Sequence, residues 1–389
     1  MKKMITGNRA AALGSKLARA QVVAAYPITP QTKIVESIAE MVARGEMKCK
    51  YIMVESEHSA MSACISASAT GVRTFTATAA HGLALMHEVL HWAAGQRLPI
   101  TMVNINRALG PPWSVWVEHT DSMSQRDTGW MQVYCESNQE VLDSVIMAYK
   151  VGERADVLLP TMICADAFYL SHTSEPVDIP EQKKVDDFLP PYKPKYKLDV
   201  DDPHGFGSLS MPHQWYMELR YQMAEAMEHA KKHIPEVERE FAEVFGRRYR
   251  AIEPYRCEDV DYVLMGMGTM ADTAREAIDR LRSRGEKVGF VRLRTFRPFP
   301  VKELRALARG IDRLGVIDRS FTFGYEGPLF TEVKGALYGT PQPPEIRGYV
   351  AGLGGRDITV ETIEDIYRRL SKKKWKGEEE WIGLKMEKR

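Results

Sequence analysis

The chain has 389 residues, of which 44% are hydrophobic and 27% are charged. These proportions are typical of a globular protein, and the length exceeds what a single core ordinarily serves, so we expect two domains. The formal net charge is +1, and no basic stripe interleaved with aromatic residues occurs. This charge pattern argues against nucleic acid and against an anionic membrane as partners.

The N-terminus and the cysteines favour a cytoplasmic protein. The continuous apolar segment of a signal peptide does not follow Lys2 and Lys3, and no stretch is long enough to span a bilayer. The cysteines are scattered without a C-x-x-C pair: Cys49, Cys64, Cys135, Cys164 and Cys257. We therefore expect reduced thiols, and no iron–sulfur cluster or structural metal bound by this chain itself.

Helical segments and apolar segments of strand length alternate through residues 1–173. The first helix is predicted over Asn8–Ala20 and the second over Gln31–Arg44. The predicted strands lie in QVVAAYPIT, YIMVES, TFTAT, ITMVNI and VLLPTMICA. This alternation is typical of an α/β domain with a doubly wound, mostly parallel sheet covered by helices on both faces.

A Pro-rich segment of residues 174–213 follows. It contains many charges, and Phe188, Tyr192 and Tyr196 provide aromatic groups for docking. A linker is one interpretation, and an arm that wraps a partner or the second domain is the one we favour. Gln214–Phe245 then predicts one long amphipathic helix, which completes a middle region of residues 174–250.

A second, smaller parallel α/β unit is predicted over residues 251–370. Strands are predicted in YVLMGMG, VGFVRLRTF and LGVID, and helices over Met270–Arg284 and Val301–Arg309. The segment EIRGYVAGLGG ends in a glycine loop. Residues 371–389 are strongly charged and predict a peripheral tail.

Four polar patches follow predicted strands of the first domain. They are Tyr26–Pro30 (YPITP), Glu55–Ala60 (ESEHSA), Ala79–Gly82 (AAHG) and Asn106–Leu109 (NRAL). Open α/β sheets bind ligands at the carboxyl ends of their strands, so we expect these patches to meet at one sheet edge. Any one patch could be a helix cap or a surface ion pair, but their coincidence indicates a binding site. ESEHSA also opens a helix of small residues, a setting that favours a carboxylate buried against a ligand.

The sequence resembles the alpha subunit of the 2-oxoacid:ferredoxin oxidoreductases, the family of pyruvate:ferredoxin oxidoreductase. The motifs that carry this resemblance are YPITP, VESEHSA, TFTAT, GLALMHEVL, NRAL, HxDSMSQRDTGW and AGLGGRD, in matching order as far as about residue 370. The resemblance implies a thiamine-diphosphate-binding fold. Residues 1–173 would be the pyrimidine-binding domain, and residues 251–370 a domain like the C-terminal domain of transketolase.

The resemblance also implies a complex of several subunits. A beta subunit would bind the cofactor's diphosphate, Mg²⁺ and the nearest [4Fe-4S] cluster, and gamma- and delta-type subunits would carry further clusters and help to bind coenzyme A. The complex would oxidatively decarboxylate a 2-oxo acid to an acyl-CoA and CO₂. Its electrons would pass through the clusters to ferredoxin or to an NAD-reducing subunit.

The resemblance assigns roles to individual residues. Thiamine catalysis needs a carboxyl group facing N1′ of the cofactor's aminopyrimidine, which by resemblance is Glu57, with Glu55 as the alternative. Arg107 and Thr29 match the family's contacts to the substrate carboxylate, for which a guanidinium offers a planar fork. Oxalate-using relatives have Arg where this chain has Thr29, so a second substrate carboxylate is not expected. The other expected cofactor contacts are Tyr26, Pro27 and Ile28.

The chain departs from the pyruvate-using members beside the expected substrate. It reads AHG at residues 80–82 where they often read SQG, and ALGPPWSVWVE at residues 108–118 where they often read ALSAPINIWND. His81, Trp113 and Trp116 could line an aromatic pocket, or the tryptophans could pack against a partner subunit. Pyruvate, an aryl 2-oxo acid such as phenylglyoxylate and a branched-chain 2-oxo acid all stay open as substrates.

Two further motifs suggest other functions. His87, Glu88 and His91 form an H-E-x-x-H, which on a helix can bind zinc for hydrolysis, but the extension of known zinc hydrolases is missing. Gly266–Ala271 fits the dinucleotide fingerprint G-x-G-x-x-A, but the next strand is basic where an acidic residue is expected. We favour a plain helix for the first motif and a tight turn for the second, with a helix N-terminus that could hold an anion. A non-redox thiamine-diphosphate transketolase or synthase component is the main alternative function.

Overall fold

The computed structural model describes residues 1–374 and 379–385 of the chain. The part before the Pro-rich segment contains, in chain order, β1 (Lys2–Thr6), α1 (Gly7–Leu17), β2 (Val22–Ala25), α2 (Thr32–Ala43), β3 (Lys50–Met53), α3 (Glu57–Ala69), β4 (Thr74–Thr78), α4 (Ala80–Leu85), α5 (His87–Gly95), β5 (Thr101–Asn106), α6 (Thr120–Met123), β6 (Met131–Tyr134), α7 (Asn138–Gly152) and β7 (Thr161–Asp166). The middle region contains β8 (Ser174–Asp178), α8 (Gln182–Phe188) and α9 (Tyr216–Phe245).

The remainder forms a second α/β unit. Its elements are β9 (Ile252–Tyr255), β10 (Tyr262–Gly266), α10 (Met270–Ser283), β11 (Val288–Leu293), β12 (Thr295–Arg297), α11 (Val301–Leu307), β13 (Arg313–Asp318), α12 (Pro328–Leu337), β14 (Glu345–Val350), α13 (Val360–Leu370) and β15 (Glu380–Trp381). Among the described residues, no helix combines the length and the apolar character that crossing a bilayer requires.

The first unit is built on a seven-stranded sheet in the order β12-β6-β7-β5-β4-β2-β3. All neighbouring strands are parallel except β12, which runs antiparallel to β6. Every residue of β4, β5 and β7 is buried, which explains why these strands read as continuous apolar or small-residue runs. The predicted doubly wound α/β fold is confirmed.

The second unit has a six-stranded sheet in the order β15-β14-β13-β10-β11-β9, parallel except for β9. VGFVRLRTF, predicted as one strand, is two: β11 lies in this sheet and β12 in the first. The chain changes sheets at Arg294, whose carbonyl oxygen accepts from the N–H of Tyr134 at 2.8 Å. The local pattern could not indicate this change, because it depends on β6 being within reach.

The two ends of the chain carry strands that were not predicted. β1 pairs antiparallel with β8 and so joins the N-terminus to the start of the Pro-rich segment. β15, within the segment predicted as a charged tail, pairs with β14, and Ile382 after it is buried. In the Pro-rich segment, Phe188 is buried against α9, with its ring 5.4 Å from that of Phe241. The domain boundaries at residues 173, 250 and 370 stay predictions.

Candidate active site

The four polar patches meet at the carboxyl edge of the first sheet. β5, β4, β2 and β3 are consecutive parallel neighbours, so the turns that follow them lie side by side. Arg107 after β5 contacts Thr29 after β2, and Gly82 after β4 lies against Glu57 at the start of α3. Sequence order alone could not give this adjacency, because the order of strands in the sheet differs from their order in the chain.

The two glutamates of ESEHSA have different environments. Ser56 caps α3 by accepting the N–H of Ser59, which makes Glu57 the first helical residue. The Glu57 side chain is buried, and the residue is 6% exposed. No hydrogen-bond or ion-pair partner for that side chain occurs among the described residues. Glu55 is exposed and accepts a hydrogen bond from the Ser59 hydroxyl. Of these two glutamates, Glu57 is therefore the one whose carboxylate is buried and free to accept a hydrogen bond.

Gly82 forms one wall beside the Glu57 carboxylate. A Cβ atom at this position would lie 2.5 Å from Oε1 of Glu57 and 2.6 Å from Oγ1 of Thr78. Either distance is a clash, so the AHG turn can approach the carboxylate only because residue 82 has no side chain. The space next to Glu57 is therefore narrow and lined by backbone on this side.

Arg107 is a buried cation without a carboxylate partner in residues 1–374 and 379–385. It is 4% exposed, and its guanidinium donates to two carbonyl oxygens, Thr29 O at 2.9 Å and Ser114 O at 3.2 Å. Burial lowers the pKa of the guanidinium, and nearby Asp121 opposes this effect. The guanidinium has further N–H donors beyond these two bonds. A buried positive charge is stabilised by an anion, so these donors suit an anionic ligand. Thr29 itself is exposed.

Residues 108–118, here called the tryptophan loop, cover Arg107. The Trp113 ring lies 5.5 Å from Cζ of Arg107, in cation–π contact, and Trp113 is 76% exposed. His81 is also exposed, and its Nε2 accepts the N–H of Gly110 at 2.9 Å. Trp116 packs on Phe168, with ring centroids 4.5 Å apart, and stays half exposed. Trp113 thus contacts Arg107 directly, whereas the ring contact of Trp116 is to Phe168; its role at the substrate stays a prediction.

The remaining predicted cofactor contacts form the turn after β2. The carbonyl oxygen of Tyr26 accepts from Nε2 of Gln31 at 2.7 Å, and that of Pro30 accepts from Nδ2 of buried Asn8 at 2.8 Å. Pro27 is exposed and Ile28 half-buried. These two bonds fix the turn, and part of its surface stays exposed.

Asp121, in the HxDSMSQRD segment, links two turns of the candidate site, and the sequence alone did not indicate this. Its buried carboxylate accepts the backbone N–H groups of Ala80 and Arg107, both at 3.1 Å. It also accepts from the side-chain amides of Asn104 at 3.1 Å and Asn106 at 2.8 Å. Burial raises the pKa of Asp121, and these hydrogen bonds oppose the rise. One side chain therefore fixes both the AHG turn and the start of the tryptophan loop.

The turn that matches the dinucleotide fingerprint already holds an anion, the carboxylate of Asp166 at the end of β7. Asp166 accepts from the backbone N–H of Thr269 at 3.0 Å, from Arg319 at 3.0 Å, and contacts Nε2 of His119 at 2.9 Å. A Cβ at Gly268 would lie 2.9 Å from that carboxylate. The predicted anion site at this helix N-terminus is thus filled from within the chain, and it binds the two units together.

The second unit also supports the tryptophan loop. The Ser114 hydroxyl donates to the carbonyl oxygen of Gly354 at 3.3 Å, and Glu118 accepts the N–H of Gly354 at 2.9 Å. Gly354 belongs to the AGLGGRD glycine turn that the sequence analysis noted without a role. Its role here is to fix the far side of the loop over Arg107.

The H-E-x-x-H motif lies on α5, as predicted. The rings of His87 and His91 are 5.0 Å apart, edge to face, and Nδ1 of His87 lies 2.6 Å from Oε1 of Gln125. Glu88 is exposed, 3.6 Å from His58. Within the described ranges no three His, Cys, Asp or Glu side chains are grouped as metal ligands. The pair therefore has no third ligand there, and the structure gives no support to the zinc interpretation.

Family models match most of the chain. The model described as pyruvate flavodoxin/ferredoxin oxidoreductase, thiamine diphosphate-binding, matches residues 13–239. The model described as pyruvate:ferredoxin oxidoreductase core domain II matches residues 260–363. The two matches fall on the two α/β units, with the whole Pro-rich segment and most of α9 inside the first.

Relatives of known name are similar over nearly their whole length. Ketoisovalerate oxidoreductase subunit VorA of Pyrococcus horikoshii is 56% identical, over 99% of this chain and 98% of that one. Pyruvate synthase subunit PorA of Methanothermobacter thermautotrophicus is 50% identical, over 99% of each chain. PorA of Pyrococcus furiosus is 49% identical, over 100% of this chain and 99% of the other.

Two solved structures show the same fold. One is the 2-oxoglutarate:ferredoxin oxidoreductase from Magnetococcus marinus, with a TM-score of 0.71 and 18% identity over 95% of this chain. The chain spans only 65% of that longer chain. The other is a split-gene transketolase, an inactive beta4 tetramer, with a TM-score of 0.58 and 14% identity over 95% of this chain and 98% of that one. Together, these matches confirm the resemblance predicted from the sequence and the thiamine-diphosphate-binding type of fold. The chain therefore belongs to the pyruvate:ferredoxin oxidoreductase family of 2-oxoacid:ferredoxin oxidoreductases, as an alpha-type subunit.

Proposed function

We propose that this chain binds the aminopyrimidine of thiamine diphosphate and the carboxylate of an apolar 2-oxo acid at the carboxyl edge of its first sheet. The observation that carries the proposal is that two buried charges at this sheet edge, the carboxylate of Glu57 and the guanidinium of Arg107, have no oppositely charged partner among the described residues. Charges of this kind are costly unless a ligand completes them. Arg107 suits a carboxylate, and Glu57 suits a ring nitrogen that can share a proton.

The residues fit the cofactor's aminopyrimidine. Glu57 is buried with a free acceptor, and Gly82 leaves the adjacent wall without a side chain. The bound cofactor would supply the carbon nucleophile and the electron sink for decarboxylation. Glu57 would hold or share a proton at N1′ of the ring, and residues 26–28 would border the ring on another side.

The substrate would be held by its charged end. Arg107 would donate to the carboxylate of the 2-oxo acid through the N–H groups that its two carbonyl partners leave free, with the Thr29 hydroxyl beside it. Trp113 and His81 would shield this ion pair from water, and the exclusion of water strengthens it. We place the diphosphate, Mg²⁺ and the [4Fe-4S] clusters in beta-, gamma- and delta-type partner subunits, with coenzyme A as the acyl acceptor and ferredoxin or an NAD-reducing subunit as the electron acceptor.

We infer that the leading substrate is a branched-chain 2-oxo acid, with pyruvate second. The identity to the ketoisovalerate subunit of Pyrococcus horikoshii, 56%, exceeds the 50% identity to the Methanothermobacter pyruvate synthase subunit. The tryptophan loop adds apolar surface above Arg107, which favours a side chain larger than a methyl group. The same surface supports an aryl acid as a third candidate.

A substrate panel tests this proposal. The native complex is given 2-oxoisovalerate, pyruvate, phenylglyoxylate or 2-oxoglutarate with coenzyme A, and reduction of a viologen dye is followed. We expect the highest kcat/KM with 2-oxoisovalerate, dependence on coenzyme A, and bleaching of the cluster absorbance when substrate is added. This chain purified alone should be inactive. Carboligation without dye reduction would instead identify a transketolase-like or synthase activity, and faster turnover of 2-oxoglutarate would contradict the apolar pocket.

A further inference from the structure

Thr78, the last residue of β4, has a fully buried hydroxyl with no hydrogen-bond partner among the described residues. Thr76, two residues earlier, faces the same side of the strand and is equally buried, but its hydroxyl donates to the carbonyl oxygen of Ala24 at 2.8 Å. A buried hydroxyl without a hydrogen-bond partner lowers the stability of the fold, so we look for a partner that it gains when the site is occupied.

The Glu57 carboxylate, which has a free acceptor, lies close to this hydroxyl. Oε1 of Glu57 and Oγ1 of Thr78 lie 2.5 and 2.6 Å from one point, the place where a Cβ of residue 82 would stand. Because residue 82 is glycine, no side chain stands at that point, and the two oxygens lie at most 5.1 Å apart, since each is that close to it. The cross-strand neighbour Asn104 offers another acceptor, its Oδ1, while its amide donates to Asp121.

We propose that Thr78 is a positioning residue whose hydroxyl donates a hydrogen bond to the Glu57 carboxylate when the cofactor is bound. A donated hydrogen bond stabilises the ionised carboxylate and fixes its second oxygen toward the aminopyrimidine. This inference rests on the proposed function, in which Glu57 contacts N1′ of the ring. It assigns the end of β4 a part in cofactor binding that Glu57 alone would not explain.

The test is the dissociation constant of thiamine diphosphate, measured by calorimetry on the whole complex after removal of the cofactor, with Mg²⁺ supplied. Thr78→Val keeps the shape of the side chain and removes the hydroxyl, and we expect about tenfold weaker binding. Thr78→Ser should restore binding to within about twofold, because it restores the donor. Thr76→Val, the matched control, should leave the dissociation constant unchanged.

A double-mutant cycle with Glu57→Gln distinguishes this contact from a general loss of packing. If the hydroxyl acts through Glu57, Thr78→Val should add little to the loss already caused by Glu57→Gln. If Thr78→Val prevents assembly, Thr78→Ala is measured in its place with the same expectation.

Three results would overturn the inference. Unchanged binding in Thr78→Val would show that the hydroxyl has no role. An equal loss in the Glu57→Gln background would point to Asn104 as its partner. Failure of Thr78→Ser to restore binding would indicate packing. If Glu57→Gln binds thiamine diphosphate as tightly as the wild type does, the proposed function is wrong. If Glu57→Gln binds the cofactor weakly and Thr78→Val binds it normally, only the proposed role of Thr78 is wrong.

Discussion

The Arg107 guanidinium donates to the carbonyl oxygen of Thr29 at 2.9 Å, across two adjacent strand ends of the first sheet. A carbonyl oxygen orients the guanidinium without neutralising its charge. The contact therefore ties the YPITP turn to the NRAL turn and keeps a positive charge available. An ion pair with a carboxylate of this chain would have neutralised that charge.

Replacement of Arg107 by lysine should impair substrate binding more than turnover. Lysine keeps the charge but cannot hold two carbonyl oxygens and a carboxylate with one planar fork. We expect at least a tenfold rise in KM for the 2-oxo acid, measured by steady-state dye reduction with the native complex. Arg44→Lys, at an exposed position after α2, is the control and should leave KM unchanged. A KM within twofold of the wild type would remove Arg107 from the substrate site.

Asp121→Asn should destabilise the two turns that Asp121 holds, although Asp121 itself is not a proposed substrate contact. Oδ2 of Asp121 accepts the backbone N–H groups of both Ala80 and Arg107, so both lose their buried partner when the amide nitrogen, which cannot accept, takes this position. This should destabilise the fold by roughly 1–3 kcal/mol and raise KM. Urea unfolding and steady-state kinetics measure the two effects. Asp127→Asn, with an exposed side chain, should do neither. Full stability in Asp121→Asn would show that the network is not needed to hold the two turns.

Much of this site could be predicted from the sequence, because its residues follow strands whose apolar runs are local signals. The four polar patches were predicted in this way, and the resemblance to the family then assigned roles to Glu57, with Glu55 as the alternative, and to Arg107. The role of Asp121 could not be predicted, since its carboxylate meets Ala80 and Arg107 only after three segments fold together. The same holds for Asp166, which fills the N-terminus of α10 from the other unit. The family motif HxDSMSQRDTGW contains Asp121, but a motif does not tell which atoms its residues contact.

A buried ion cluster between the two units should make stability depend on pH. Burial would raise the pKa of Glu140, but Arg292 and Arg294 outweigh it and lower the value to about 2. Glu238 forms an ion pair with Arg294 at 2.9 Å, an arginine that Glu140 also contacts, and burial raises the pKa of Glu238 to about 7. A carboxyl whose pKa is higher in the folded than in the unfolded state binds more protons when folded. Its contribution to the free energy of unfolding is therefore present at low pH and is lost as the pH rises from about 4.5 through 7.

Glu238→Gln should remove this dependence. The wild type should lose on the order of 2 kcal/mol of unfolding free energy between pH 5 and pH 8 through Glu238, and the variant should lose correspondingly less. Urea unfolding at the two pH values measures the difference. Glu243→Gln, exposed on the same helix, should behave like the wild type. An unaltered pH dependence in Glu238→Gln would show that Arg294 keeps this carboxyl ionised throughout the range.

Trp113 distinguishes the two interpretations of the tryptophan loop. As a substrate contact, its ring over Arg107 would favour larger apolar 2-oxo acids, so Trp113→Ala should lower kcat/KM for 2-oxoisovalerate by about tenfold and for pyruvate by much less. As a contact to a partner subunit, the same change would weaken the complex and affect both substrates equally. Kinetics with both acids, together with the subunit content after gel filtration, separate the cases. Trp215→Ala, at an exposed position before α9, is the matched control for loss of a surface tryptophan. An equal fall in kcat/KM for both acids, together with dissociation of the complex, would show that Trp113 does not determine substrate specificity. The AHG turn would then be the next candidate, and His81 the next residue to replace.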